Sequence, residues 1–413
     1  MGSGIAGKRA VLAVSGLFAV NGALVGGIGA TLPQMRERLG VDTGGLAVLL
    51  VSLAAAAIIS MQIGGRLADS RGARNVALPA SALLIAGVAS LAFAPSLPLA
   101  AAAAALAGLG NGAMDVSMNA LGVRVEQARD KPVMSRLHAG FSLGNLAGAA
   151  AVLLIARLAG AGAEVITPAL VTLSVLAVMA MVAVSRRLPS TSPWTPSAAP
   201  TGHANVSAAE RSAAAVLRSG IPTAALLLGA MAFSFGLAEG TAVDWSSVHV
   251  TDIAGVEPST GALGLVAVSS FMVLIRLFGD RAVAASGRAN VVRFGGLVAS
   301  AGYLVVVLAQ PLPVLLVGWA LVGLGVGMIA PQVYAVAGHA GGGRMLALVV
   351  TFGYGAFLIG PAIIGALSRA VGIAHAMALP LALSVVLVAL SRVLSWEDGG
   401  PPASTALPES PRV

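Results

Sequence analysis

Cysteine is absent from this 413-residue chain, which excludes disulfides, thiol nucleophiles and thiolate metal sites and leaves the redox compartment open. Charge is scarce as well, at 10% of residues, and aromatics reach only 4%. So little charge cannot clothe a water-facing surface of this size. Aromatic and basic residues do not cluster together, so the formal charge of +8 does not imply nucleic acid, and no such partner is expected. What fills the sequence instead is apolar: 57% hydrophobic residues, 52 glycines and a mean hydropathy of +0.93. Lipid is the expected solvent.

Catalytic groupings are missing too. His138 stands in an apolar run, His203 in the longest polar break, His249 in an expected outer loop, His339 beside "GGGR" and His375 in or near the last run. No Ser/His/Asp arrangement and no metal-ligand spacing results, so no enzyme, metal or cofactor is expected.

A helix needs about 20 apolar residues to cross the hydrocarbon of a bilayer. Ten runs lack Asp, Glu, Lys and Arg: 10–35, 43–65, 75–114, 137–156, 165–185, 219–238, 258–275, 294–343, 345–368 and 370–391. Two of them are long enough to cross twice, with turn signals "APSLPL" at 94–99 and "AQPLPV" at 309–314. Twelve membrane helices are therefore predicted. The first run is too long for a signal-peptide core and no cleavage pattern follows it, so it is read as the first span. Lys and Arg concentrate in alternate loops: with the N-terminus inside, cytoplasmic segments hold 20 of the 24 basic residues, and the outer loops hold Arg36, Arg38, Arg157 and Arg369. Both termini are thus expected in the cytoplasm. The segment "LPSTSPWTPSAAPTGHANVS" has linker composition. It divides the chain into a bundle over 1–185, a linker over 186–220, a second bundle over 221–393 and a tail over 394–413.

The halves repeat. At an offset of 215, "ALAGLGNGAMDVSMN" (105–119) aligns with "ALVGLGVGMIAPQVY" (320–334), and "GGRLADSRGAR" (64–74) has a degraded counterpart in "RLFGDRAVAASGR" (276–288). Duplicated six-helix halves with a site between them describe an alternating-access transporter.

The first of those loops resembles the signature loop of the major facilitator superfamily, Gly-x-Leu-Ala-Asp-x-x-Gly-x-Arg/Lys, with Gly65, Asp69, Gly72 and Arg74 in its fixed places. "AMDVSMNALGVRVE", "LHAGFSLGNLAGA", "GLAEGTAVDW" and "TFGYGAFLIGPAIIGAL" are similar to its YbjJ-type bacterial inner-membrane subgroup. The resemblance implies an all-α fold of twelve helices in two pseudo-symmetric bundles, secondary active transport and an ion gradient as energy source. It implies that Asp69 acts as a conformational latch against the other half; a solvated loop charge is the plain alternative. Arg276, Asp280, Arg281 and Arg288 look like a weakened second copy, with Arg276 snorkelling. Multidrug antiporters of the superfamily carry an Arg early in the fourth helix and a Gly-Pro motif in the fifth. Here "LPLAAAAAALAGLGNG" has no Arg, and Asn145 stands where the proline would.

An ionisable side chain at mid-membrane costs roughly 2.5 to 3.5 kcal/mol on insertion scales, so each needs a reason. In the fourth span Asn111, Asp115 and Asn119 fall at i, i+4 and i+8, with Glu126 further down the same stripe. That face is either a hydrogen-bond seam between helices or a substrate or proton site centred on Asp115, and the second is the expectation. His138, Ser142 and Asn145 share a face of the fifth span. At 1.5 Å per residue, Asp115 and Asn145 lie roughly 13 Å deep, Asn119 and Ser142 roughly 8 to 9 Å, and His138 about 3 Å. His138 then neighbours Arg124 and Glu126 in a cytoplasmic gate, as a proton carrier or as a structural histidine. Glu239, counted from Ile221, comes out roughly 27 Å up, near the outer interface. There it is an outer gate or a second proton-coupling site, with Asp244 beside it and Trp245 as an interface anchor. Asn21, about 16 Å deep, and Gln332, Tyr334 and Tyr354 complete a ring of candidate substrate contacts, each equally explicable as packing between helices.

These residues predict a monomeric secondary transporter in the bacterial inner membrane, moving a small polar solute, sugar-like or organic-acid-like, with protons. Few aromatics and many Asn, Gln, Ser and acid side chains suit such a solute. Proton-driven export of a drug or metabolite is the alternative, and a non-transporting sensor or scaffold a more distant one.

Overall fold

In a computed structural model, residues 7–129, 133–160, 162–189 and 223–397 are described. Twelve helices in them are long and apolar enough to cross a membrane. In the first half these are α1 (Lys8–Leu39), α2 (Thr43–Arg71), α3 (Ala73–Leu91), α4 (Leu97–Arg129), α5 (Met134–Ala159) and α6 (Ile166–Ser185). In the second they are α7 (Thr223–Ala254), α8 (Leu263–Ser286), α9 (Arg288–Leu308), α10 (Leu312–Ala337), α11 (Leu348–Val371) and α12 (Ile373–Leu394). There is no strand among the described residues. Helices are what such a composition must form, because backbone polar groups inside a bilayer have only each other as partners. Leu158, Leu308, Phe93 and Phe294 stay more than 60% exposed, as lipid-facing side chains do.

The turns confirm both hairpins expected inside the long runs: α3 ends at Leu91 and α4 begins at Leu97, while α9 ends at Leu308 and α10 begins at Leu312. They also show the repeat in the backbone. Gly40 and Gly255, at the 215-residue offset, both have φ 62°, closing α1 and α7. Gly72 and Gly287, at the same offset, have φ 89° and 78° and stand where α2 gives way to α3 and α8 to α9. These left-handed conformations favour glycine. The signature segment is thus mostly the last turns of α2, and only Gly72 breaks it. Its counterpart from Arg276 to Ser286 is helical throughout. The helix that begins at Ile329 also continues to Val371, across the expected break beside "GGGR".

Within a half, helices approach through glycine. Backbone carbonyls of Phe141 and Asn145 on α5 lie where a side chain on Gly22 and Gly26 of α1 would be, and those of Ala19 and Ala23 do the same for Gly144 and Gly148. Lipid supplies no hydrophobic drive between helices, so close backbone contact is the main source of attraction there. Across the halves, α2 packs on α11 and α5 on α8, two contacts related by the repeat, and α1 packs on α7.

Three expectations are corrected in α7. The helix does not end at Asp244 and Trp245 but runs to Ala254, which moves Glu239 from the outer interface to mid-helix. Trp245, expected as an interface anchor, is 1% exposed inside the bundle. His249, expected in a loop, is a helical residue buried edge-on against Trp319 at 5.4 Å between ring centroids. Most of the linker at 186–220 and the tail beyond 397 lie outside the described residues.

Candidate functional site: a cavity between the halves

A cavity of about 290 Å3 lies between the two bundles and draws its wall from both. α1 supplies Asn21, α4 supplies Asn111 and Asp115, and α5 supplies Ser142 and Asn145. From the other half come Glu239 and Asp244 of α7, Ser269 and Arg276 of α8, and Tyr354 of α11. Between these polar groups the wall is apolar, with Ile28, Leu53, Met61, Phe141, Met272 and Phe357 among its side chains. A few placed polar groups in an apolar wall are what fix a small molecule's orientation.

The polar groups form linked pairs. Asn21 donates its amide to Asn111 Oδ1 at 3.0 Å, joining α1 to α4. Asn119, one turn below Asp115, donates to Asp115 Oδ1 at 3.2 Å and to its carbonyl at 2.9 Å. Asp115 also lies close enough to Tyr354 of the other half for its charge to act on the phenol. Ser269 donates to Asn145 Oδ1 at 2.9 Å across the halves. The most connected group is Arg276. Its Nη2 donates to Glu239 Oε1 at 3.1 Å, its Nε to the Gly327 carbonyl at 3.0 Å, and its Nη1 to the Ser142 hydroxyl of the opposite half. The side chains of Arg276 and Glu239 are only 15% and 16% exposed. Each charge would be costly there without the other.

The structure gathers Asn21, Asn111, Asp115, Ser142, Asn145, Glu239 and Tyr354 around the one space. Asp244, expected at an outer gate, lines it too. Other expected residues stand elsewhere. Asn119 lies behind Asp115. Gln332 accepts from Arg288 at 3.2 Å, and Tyr334 meets Phe235 edge-on at 5.5 Å, so neither is among the residues lining the cavity. His138 stands edge-on to Phe18 of α1 at 5.2 Å. Glu126 instead accepts the backbone N–H groups of Val133 and Met134 at 2.7 and 3.0 Å, capping the start of α5. Arg124 interacts electrostatically with Asp69 within the first half. Arg74 donates to the Ser185 carbonyl at 2.9 Å, tying the α2–α3 junction to the end of α6.

Sequence reasoning missed Arg276 and Ser269 as cavity residues. A signal for the arginine was present: the run 258–275 is short for a crossing, so the helix had to continue past Arg276 inside the membrane.

With this geometry in hand, comparison with known proteins is decisive. The description of the Major Facilitator Superfamily matches residues 14–339. The chain belongs to that superfamily. An uncharacterized transporter, y4wD, of Sinorhizobium fredii is 35% identical over 358 residues, covering 86% of this chain and 89% of the relative. Among solved structures, the nucleoside transporter NupG in a mutant form superposes with a TM-score of 0.72 at 13% identity, covering 93% of this chain and 98% of that one. The xylose transporter XylE from E. coli, in a partially occluded inward-open conformation, gives 0.70 at 14% identity, covering 97% and 100%. At such identities these likenesses show the fold. As a superfamily member, the chain is a multi-pass membrane protein and a transporter, not an enzyme.

Proposed function

We propose that this transporter moves a small polar organic solute, sugar-like or organic-acid-like, through the inter-bundle cavity by alternating access, driven by protons. The observation that carries the reading is the lining itself. Asp115 and Glu239, one from each half, face the same space as the amides of Asn21, Asn111 and Asn145. A carboxylate in this position can lose its charge to a proton, and a change of charge at the joint of two rocking bodies biases which side is open. The amides and hydroxyls offer both donors and acceptors to a hydroxylated solute. On this reading the protein acts as a monomer in the bacterial inner membrane and falls with the YbjJ-type subgroup; the distribution of Lys and Arg supports placing both termini in the cytoplasm.

The apolar wall around Phe141, Met272 and Phe357 favours a second reading, export of a more lipophilic solute. Flux into proteoliposomes separates the two. Sugars, sugar acids and amino acids are offered with and without an imposed proton gradient, and lipophilic cations are tested in parallel. Gradient-dependent accumulation of a polar solute supports the first reading, and transport confined to lipophilic cations overturns it. Transport of neither class in an active preparation leaves no solute for the cavity and sinks both.

A further inference from the structure

Asp244 is the acid of the cavity wall that the proposed coupling leaves unused. The lining holds three carboxylates, Asp115, Glu239 and Asp244, and one guanidinium, Arg276, which is bound to Glu239 at 3.1 Å. Two carboxylates therefore face the space without a cation of their own. Asp115 at least accepts from the Asn119 amide at 3.2 Å. Asp244 has neither hydrogen bond nor ion pair among the described residues. It stands where a narrow side pocket between α7 and α11 meets the cavity, since Gly240, Asp244, Phe357 and Pro361 belong to both walls. Thr241 and Trp245, on the same face of α7, line that side pocket. They are 3% and 1% exposed, and Thr241 Oγ1 and Trp245 Nε1 have no hydrogen-bond partner. Buried polar atoms are nearly always paired, so two open ones beside an open carboxylate point to a ligand.

We infer that Asp244 anchors a protonated amino group, and that the solute is a small hydroxylated amine such as an amino sugar or amino alcohol. The inference rests on the reading of a polar solute in this cavity and narrows it: of the sugar-like and organic-acid-like classes it keeps the first, in aminated form. An ammonium has three N–H donors and no acceptor. The Asp244 carboxylate answers one, and Thr241 Oγ1, one turn back on the same helix face, answers a second. The Phe357 ring, shared by both walls, adds an aromatic surface to which a cation is attracted. Trp245 Nε1 can only donate, so it calls for an oxygen, which a hydroxyl of the same solute carries. An anionic solute meets the opposite conditions. Two carboxylates without a cation repel it, and the guanidinium that would receive it is engaged by Glu239, Ser142 and the Gly327 carbonyl.

The test compares solutes that share a frame and differ in charge: glucosamine, glucose and gluconate, with ethanolamine, ethylene glycol and glycolate as a second set. Stabilisation of the purified full-length protein against heat reads binding, and proteoliposomes under an imposed proton gradient read accumulation. The amine of at least one set is expected to bind about ten- to a hundredfold more tightly than its neutral partner, the range of a hydrogen bond to a charged group. Asp244→Asn should erase that preference while keeping the unliganded unfolding midpoint at or above the wild-type value, since it removes an unpaired charge from a membrane span. Thr241→Val, which keeps the shape and loses the hydroxyl, should cut the preference about fivefold. Should Asp244→Asn fail to fold, Thr241→Val and the wild-type charge series carry the test. Binding of neither amine, tighter binding of a neutral or acidic partner, or an amine preference lost in Asp115→Asn and kept in Asp244→Asn overturns the inference. Gradient-driven accumulation of any neutral or acidic polar solute then leaves the reading beneath it standing. Absence of gradient-driven accumulation across sugars, sugar acids, amino acids and both amines overturns the two together.

Discussion

Arg36, in the last turn of α1, and Asp252, near the end of α7, form a two-pronged ion pair that joins the two halves at the ends where those helices stop. One prong runs from Nη1 to Oδ2 at 2.6 Å, and the second from Nη2 to Oδ1. Close by, Arg369 at the end of α11 faces Asp42 at the start of α2, with Nε 4.0 Å from Oδ2. The two contacts fasten the same end of the molecule. In an alternating-access cycle both must open whenever the cavity is reached from that end.

If the halves alternate as proposed, the Arg36–Asp252 pair biases the equilibrium between states. Its side chains are 23% and 27% exposed, which keeps its worth near that of a surface pair, about 0.5 to 1 kcal/mol. Arg36→Gln or Asp252→Asn should raise access to the cavity from that end by roughly two- to fivefold, the population change that such an energy permits. The measurement is the labelling rate of a single cysteine at Leu50, which lines the cavity, by an impermeant maleimide added on that side. The charge-swapped pair Arg36→Asp/Asp252→Arg should return the rate towards wild type. A rate unchanged in both single variants would mean that the pair closes nothing.

Gly144 makes a separate prediction about stability. A methyl group there would collide with the Ala19 carbonyl, whereas one at Gly355 would meet open space. Overpacking of this kind costs about 1 to 3 kcal/mol when the obstacle is backbone that cannot swing aside. Gly144→Ala should lower the thermal unfolding midpoint followed by tryptophan fluorescence, and Gly355→Ala should leave it nearly unchanged. Equal midpoints would show that α1 and α5 can separate at little cost.

Much of the fold was legible because a bilayer punishes charge uniformly: runs free of Asp, Glu, Lys and Arg marked the spans, and the 215-residue offset read from the sequence recurs in the positive-φ glycines at 40 and 255 and at 72 and 287. The same rule concealed half of the site. Cutting spans at charged residues shortened α7 at Glu239 and α8 at Arg276, yet each of these charges is tolerated because the other neutralises it across 37 residues of sequence. No periodicity within a single helix shows such a pair. The stripe of Asn111 and Asp115 was readable, since its members share one helix face. Gln332 and Tyr334 were inferred by equivalence to that stripe, but the repeat has diverged there: Ala330 stands at the counterpart of Asp115, and Gln332 serves Arg288 instead.

The two carboxylates of the cavity can be separated by their surroundings. Asp115 accepts from Asn119 and forms no ion pair among the described residues, so Asp115→Asn removes a charge without stranding an opposite one there and keeps an acceptor for the Asn119 amide. It should fold with at least wild-type stability, since a charge in a membrane span is costly. Glu239→Gln leaves Arg276 beside an uncharged partner, and breaking a largely buried pair from one side costs up to about 3 kcal/mol, so this variant should unfold at lower temperature. Solute-for-solute counterflow needs no net proton movement, whereas uphill accumulation does. If Asp115 carries the proton, Asp115→Asn abolishes accumulation and spares counterflow. If Glu239 carries it, Asp115→Asn accumulates solute normally, and accumulation is lost in Glu239→Gln instead. Loss of counterflow in Asp115→Asn, with stability intact, would instead make Asp115 a solute ligand and return the coupling to the second half.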